Sequence, residues 1–335
     1  MGQGAAIFGC ADTALGPEER AFFKQSDPWG FILFARNVDT PDQLRRLTGD
    51  LRDAVGRNAP ILIDQEGGRV ARMRGPHWTE WLPPLDQVAA NPANATRSMY
   101  LRYRLIAAEL LAVGIDVNCA PCADVAHADT HPVLHNRCYG DDAATVTKVA
   151  KAVAAAHLDS GVLPVIKHMP GHGQATSDSH HDLPHVTAPA DDLEQRDFAP
   201  FRALADLPMG MSAHIVFETF GETGPATTSP AMIHRIRDDI GFGGLLMTDD
   251  LSMNALSGTV AQRSRAALDA GIDVILHCNG DLAEMRSVAE TAGEMTEIAQ
   301  SRADAALQHR KPPAPIDIDE ATAELNALLG VRLDG

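Results

Sequence analysis

Aromatic residues are scarce in this chain: ten Phe, three Tyr and three Trp, 5% of 335 residues. So few rings disfavour a stacking surface for nucleic acid. Positive charge is short as well. Twenty-eight Lys and Arg stand against 45 Asp and Glu, a formal net charge of −17. That balance argues against nucleic acid and anionic membranes as partners and for a soluble protein. No stretch approaches the roughly 18 apolar residues of a membrane span. The beginning of the chain lacks a basic cluster, the first basic residue being Arg20, and the apolar run Ala5 to Gly9 is very short. A secretory signal needs both a basic start and a longer apolar region, so a cytoplasmic location is expected. Cysteine is sparse and odd in number, five in all, as suits a reducing compartment. Cys119 and Cys122 form a C-x-x-C with no second pair, which reads as two cysteines at a strand end rather than as a zinc or redox site.

What is abundant is apolar sequence, 45% of the chain, enough for a large core. It comes in short runs: Ala5–Phe8, Phe31–Phe34, Ile61–Ile63, Ile115–Val117, Val162–Ile166, Met209–Met211, Leu245–Met247 and Val274–Leu276. Runs without polar alternation mean strands buried on both faces, hence a parallel sheet. Helical segments are expected between them at Pro41–Val55, Ser98–Val113, Ala143–His157, Asp191–Ala205, Pro230–Ile240, Val260–Ala270 and Leu282–Ala299. Thr40-Pro41 and Ser229-Pro230 are start signals, and Gly114, Gly161 and Gly271 are stops. Eight strands alternating with helices predict an α/β fold, a (β/α)8 TIM-type barrel, with a doubly wound open sheet as the alternative. No repeat or linker divides the chain, so one catalytic domain over residues 1–335 is expected. The Pro-rich Lys311–Pro315 leads to a C-terminal helical extension at about residues 312–335, with its helix at Glu320–Leu329.

In a barrel, polar residues at the C-terminal ends of strands converge on one site. The most telling stretch is Lys167-His168-Met169-Pro170-Gly171-His172-Gly173, followed by Asp178-Ser179-His180. A buried strand delivers Lys167 and His168 to its mouth, and a Gly-rich loop carrying His172, His180, His181 and His185 follows. After Ile61–Ile63 come Asp64-Gln65-Glu66-Gly67-Gly68-Arg69 and then Arg72. A charge directly after a buried strand is seldom left unpaired, so Asp64 is a candidate site residue, with Glu66, Arg69 and Arg72 as its salt partners or as ligand contacts. Asn118 and Asp124 follow the fourth strand. Arg137 lies in Asn-Arg-Cys-Tyr-Gly, in a loop with His127, His131 and His135. His214 ends the sixth strand. Thr248-Asp249-Asp250-Leu251-Ser252-Met253 closes the seventh. Two adjacent carboxylates repel each other, so one is expected to point away, and Asp249, nearer the strand, is the better site candidate.

Lys-His-Met-Pro-Gly-His-Gly with Asp-Ser-His, Asp-Gln-Glu-Gly-Gly-Arg-Val and Thr-Asp-Asp-Leu-Ser-Met resemble the signatures of family 3 glycoside hydrolases, in the family's order, from about Phe31 to about Cys278. More narrowly they resemble its bacterial β-N-acetylglucosaminidases. The resemblance implies a (β/α)8 barrel and a retaining exo-β-N-acetylglucosaminidase. The implied reaction releases N-acetylglucosamine from β-1,4-linked 1,6-anhydro-N-acetylmuramic acid fragments during peptidoglycan recycling. It implies Asp249 as nucleophile, and His180 as an unusual acid/base partnered by Asp178. It implies Asp64, Arg72, Arg137, Lys167 and His168 as residues that hold the amino sugar. No cofactor and no metal are implied, and the only partner is the small-molecule substrate, taken by a monomer or weak oligomer. Two departures stand out: Met169 where Phe is common, and Cys138-Tyr139 where Ser-Phe is usual.

Two rival readings remain open on the residues. His168, His172, His180 and His181 with Asp249 could ligate zinc in a metal-dependent barrel hydrolase, although His-x-x-x-His here spans Pro and Gly and lacks the helical geometry of a zincin. Alternatively, a non-catalytic amino-sugar-binding protein could keep such a pocket without turnover.

Overall fold

Eight parallel strands, each one neighbour of the next, form the centre of the computed structural model, which describes residues 2–177, 182–253 and 256–330. We label them β1 (Gly4–Phe8), β2 (Pro28–Leu33), β3 (Ile61–Ile63), β4 (Val117–Asn118), β5 (Leu163–Met169), β6 (Met209–Ser212), β7 (Leu245–Met247) and β8 (Ile275–His277). The hydrogen-bonded order runs β7-β6-β5-β4-β3-β2-β1-β8. Met247 pairs with Val274 in a parallel bridge, and the Thr248 amide donates to the Val274 carbonyl at 3.2 Å, so the two ends of the sheet meet. A doubly wound sheet would reverse its strand order at a switch point; this one never does, and the fold is a (β/α)8 barrel.

The alternation of side chains explains the two cores. Successive residues of a strand face opposite sides. Ile7, Leu62, Val165, Leu245 and Leu276 cluster together, while their neighbours Phe8, Ile63, Ile166, Leu246 and Ile275 join a separate, larger cluster with the surrounding helices. The first set fills the barrel and the second packs under the helical ring. Helix Pro41–Val55 shows how a ring element forms. Thr40 Oγ1 accepts from the Gln43 amide at 3.3 Å, Pro41 occupies the first turn, and Gly56 closes the end at φ 64. Leu44, Leu47 and Leu51, spaced to share one face, are fully buried, each contributing roughly 1.5–3 kcal/mol.

Three expected helices are differently built. Asp191–Ala205 resolves into Ala190–Asp192, a π-helical turn Leu193–Asp197 and Ala199–Ala203, and Pro230–Ile240 passes into a π-turn at Arg235–Asp239. Leu282–Ala299 is two helices, Leu282–Ala292 and Glu297–Leu307. The break is at Gly293, at φ 63, whose carbonyl accepts from the Ala5 amide while the Met295 amide donates to Gln3. The second helix thus crosses the N-terminal end of the barrel and contributes Ala299, Ala303 and Ala306 to the interior cluster, beside Met295 just before it. Helix Ile318–Leu329 docks on helix Ala95–Ala112, with Arg97 on Glu324 at 2.6 Å. Among the described residues, no helix is long and apolar enough to cross a membrane.

Candidate active site

The inward rail of these strands runs on to the C-terminal end of the barrel, within β5 and past the last residue of β3 and β7, and its polar residues build the site. Leu62 points in, and so does Asp64 two residues on. Val165 is followed in the same register by Lys167, and Leu245 and Met247 by Asp249. All three polar residues line one cavity of about 330 Å³ at the C-terminal mouth of the barrel, together with Arg69, Arg72, Arg137 and His168. Ile32, Phe34, Met211 and Leu276 supply its apolar walls. The volume suits one sugar-sized ligand.

Lys167 is the hub. Its Nζ lies 2.7 Å from Asp64 Oδ1 and 2.7 Å from Glu66 Oε1. Arg72 Nη2 donates to Asp64 Oδ2 at 2.9 Å, its guanidinium 4.9 Å from the Phe34 ring centroid. Arg137 grips Glu66 through Nε and Nη2 at 2.9 and 2.8 Å, a bidentate pair of the strong, orienting kind. Burial alone would raise both carboxyls. Lys167 and Arg72 outweigh it at Asp64 and hold that group well below the usual carboxylate range, while Arg137 and Lys167 bring Glu66 down to about 2. Lys167, which burial would discharge, is instead held charged by Asp64 and Glu66, its pKa above the usual lysine value.

A second set positions His168. Its Nδ1 lies 2.7 Å from Asp124 Oδ2, its amide and that of His172 donate to Asp124, and Arg137 Nη2 lies 3.4 Å from its Nε2. The carboxylate therefore fixes which face of the ring meets the cavity, in the way an orienting acid does. His172 is buried behind it, its Nδ1 without a hydrogen-bond partner among the described residues and its pKa lowered to about 4, mainly by burial.

The two carboxylates after β7 have separate fates. Asp250 Oδ1 accepts from the Ser252 and Cys278 amides and Oδ2 from Ser252 Oγ, so both of its oxygens are occupied. Asp249 keeps one tie among the described residues, the Asp250 amide to its Oδ1 at 2.8 Å. Burial would raise the Asp249 carboxyl. The imidazoles of His214 and His168, that amide and Lys167 overcome this and hold it below the ordinary value, hence ionised at neutral pH. A buried, ionised carboxylate with a largely unencumbered face is what a nucleophile requires.

Across residues 11–310 the chain matches the glycosyl hydrolase family 3 N terminal domain. It belongs to glycosyl hydrolase family 3. A β-hexosaminidase of Alkalilimnicola ehrlichii is 37% identical over 289 residues, which span 82% of this chain and 81% of that protein. NagZ from Neisseria gonorrhoeae superposes with a TM-score of 0.82 at 28% identity, covering 98% of this chain and 97% of that one. A family 3 β-N-acetylglucosaminidase from Paenibacillus superposes with a TM-score of 0.85 at 28% identity over 97% of this chain, which spans only 66% of that longer protein.

Within this family 3 barrel, the structure brings Asp64, Arg72, Arg137, Lys167, His168 and Asp249 to one cavity. Asp178 and His180 lie outside the described residues. Two further residues prove central to the geometry: Glu66, expected as a salt partner of Asp64 or a ligand contact, is instead the shared anchor of Lys167 and Arg137, and Asp124, named without a role, is the anchor of His168. An acid after a buried strand was the available signal for Asp124. The departures from the family pattern sit one layer back. Met169, Cys138 and Tyr139 are fully buried and none lines the cavity. The C-x-x-C is split, Cys119 joining the barrel interior and Cys122 packing with Cys138. Among the described residues, one trio of possible metal donors converges, Cys122, Asp124 and His168, their ligand atoms within 4.8 Å of one another. Its Asp124 Oδ2 already accepts from both partners, at 3.3 and 2.7 Å.

Proposed function

We propose that the chain is a retaining exo-β-N-acetylhexosaminidase that removes terminal N-acetylglucosamine through a covalent intermediate on Asp249. The observation that carries this reading is the ionised, inward-facing Asp249 in a sugar-sized cavity with Asp64, Arg72, Arg137, Lys167 and His168. The name β-hexosaminidase borne by the Alkalilimnicola relative supports it. The buried cation–carboxylate cluster offers fixed donors and acceptors for sugar hydroxyls and the acetamido group. In the first step Asp249 attacks the anomeric carbon while the bond to the leaving oxygen breaks; in the second, water displaces Asp249 and restores the carboxylate. The leaving oxygen takes a proton from His180 and the attacking water later gives one back, with Asp178 orienting the ring. The finer reading assigns a cytoplasmic role on N-acetylglucosaminyl-1,6-anhydromuramic acid fragments, with the barrel and helix Ile318–Leu329 acting as one catalytic unit.

The test exploits the leaving group. His180→Ala is expected to lose about 10²–10⁴-fold on the natural disaccharide and far less on a nitrophenyl glycoside, whose leaving group needs no proton. Azide should accelerate turnover of this variant by attacking the glycosyl-enzyme. Equal impairment on both substrates, with no response to azide, would remove His180 from the role. Exhaustive chelation is expected to leave turnover intact; a loss restored by zinc would favour metal-dependent hydrolysis, and absence of turnover on any amino-sugar glycoside would favour a binding protein.

A further inference from the structure

Behind Asp249 runs a buried chain of polar groups that the reading above does not use. Ser212 ends β6, and His214 and Thr227 follow it; all three are fully buried, and neither His214 nor Thr227 lines the cavity. Ser212 Oγ lies 2.8 Å from Thr227 Oγ1, Thr227 Oγ1 lies 2.9 Å from His214 Nδ1, and His214 Nε2 lies 3.1 Å from the carbonyl oxygen of Asp250. The last contact fixes the direction of the chain. A carbonyl oxygen only accepts, so Nε2 carries a hydrogen. Burial pushes the pKa of the His214 ring down, so its charge acts on Asp249 only in acid, and near pH 7 the ring keeps a single proton. Nδ1 is then an acceptor, the Thr227 hydroxyl donates to it, and Ser212 donates to Thr227. The Ala213 carbonyl, 3.0 Å from Thr227 Oγ1, competes for the same hydrogen. Were it to win, the ring would need a second proton, a charge that the buried site disfavours.

The far end of this chain is the residue that holds Asp249. The Asp250 amide donates to Asp249 Oδ1, and the Asp250 carboxylate is anchored on Ser252 and the Cys278 amide. His214 grips the remaining backbone group of that residue. Asp249 stands two residues beyond Met247, the last residue of β7, so strand register brings it to the inward side and these ties set where its carboxylate points. Resting on the reading of Asp249 as nucleophile, we propose that His214, its tautomer set by Thr227 and Ser212, is a positioning residue that aims the Asp249 carboxylate at the anomeric carbon.

The experiment compares variants of the full chain. Thr227→Val keeps the shape and removes the hydroxyl, Thr227→Ser keeps the hydroxyl, and His214→Gln offers an amide N–H near the place of Nε2, whereas His214→Leu does not. Thr227→Val is expected to lower both kcat on a nitrophenyl N-acetylglucosaminide and the rate of covalent trapping by a fluorinated sugar by about tenfold to a hundredfold, the scale of a misaimed reacting group, with KM nearly unchanged. Thr227→Ser should restore both rates, Ser212→Ala should show a weaker form of the defect, and His214→Gln should exceed His214→Leu. Melting temperatures separate aim from packing. A Thr227→Val enzyme that melts earlier yet is trapped at the unaltered rate overturns the proposal, as does equal impairment of His214→Gln and His214→Leu. Failure of the underlying reading is a different result: a trap attached to some residue other than Asp249 in the unaltered enzyme.

Discussion

Asp249→Asn is expected to lower kcat on an aryl N-acetylglucosaminide by at least about 10⁴-fold, roughly 5.5 kcal/mol of barrier, while leaving the melting temperature nearly unchanged. The substitution is close to isosteric, and the side-chain oxygen can still accept from the Asp250 amide, so the local backbone has no reason to move. What disappears is the negative charge proposed to attack the anomeric carbon and form the glycosyl-enzyme. The neighbour cannot take over. Asp250 spends both carboxylate oxygens on Ser252 and Cys278, and withdrawing either would release the backbone of the loop. Mass spectrometry after treatment with a fluorinated sugar trap checks the assignment directly: the label belongs on Asp249, and a label on Asp250 would transfer the role to it.

The register that places Asp249 was legible in the sequence because the strands are buried on both faces. Leu245-Leu246-Met247 and Ile61-Leu62-Ile63 are recognisable as apolar runs, and the alternation inside each run also decides which following residue points inward. Other features depend on contacts that no local pattern encodes. Glu66 meets Arg137 and Lys167 only because β3, β5 and the loop after β4 converge at the barrel mouth. The break at Gly293 follows from pairing with Gln3 and Ala5, at the other end of the chain, so Leu282–Ala299 reads as a single helix until the barrel is closed. Helix Pro17–Ser26 carried its own signals, Pro17 in the first turn and Glu19 returning to the Gly16 amide, yet it is too short for periodicity to stand out. The π-turns at Leu193–Asp197 and Arg235–Asp239 have no propensity signature at all.

Lys167→Met tests the other half of the site, and here the expected loss is of stability as well as activity. Lys167 is 2% exposed and serves two carboxylates at once. Removing one partner of a buried ion pair costs about 3–5 kcal/mol, because the charge left behind is neither solvated nor neutralised. Arg72 and Arg137 remain, so Asp64 and Glu66 each keep one cation, and the protein should fold with a clearly lowered Tm. The pH dependence gives the decisive sign. Glu66 is held near 2 in the folded protein against an ordinary value of 4.5, and Asp64 is shifted in the same direction. A depressed carboxyl contributes stability above its unfolded pKa and loses it as pH falls toward the folded value. Without Lys167 both carboxyls rise, protonate earlier and relieve the uncompensated charge. The Tm gap between the unaltered protein and Lys167→Met should therefore be widest near pH 7 and shrink as pH falls below about 4.5; a gap independent of pH would mean that Lys167 acts by packing alone. Adding Asp64→Asn to Lys167→Met should recover part of the Tm, since both members of one pair are then gone. It should recover no turnover, because the neutral pair offers the sugar neither the acceptor nor the cation, and that separation of folding from activity is what assigns the cluster to the substrate rather than to the barrel.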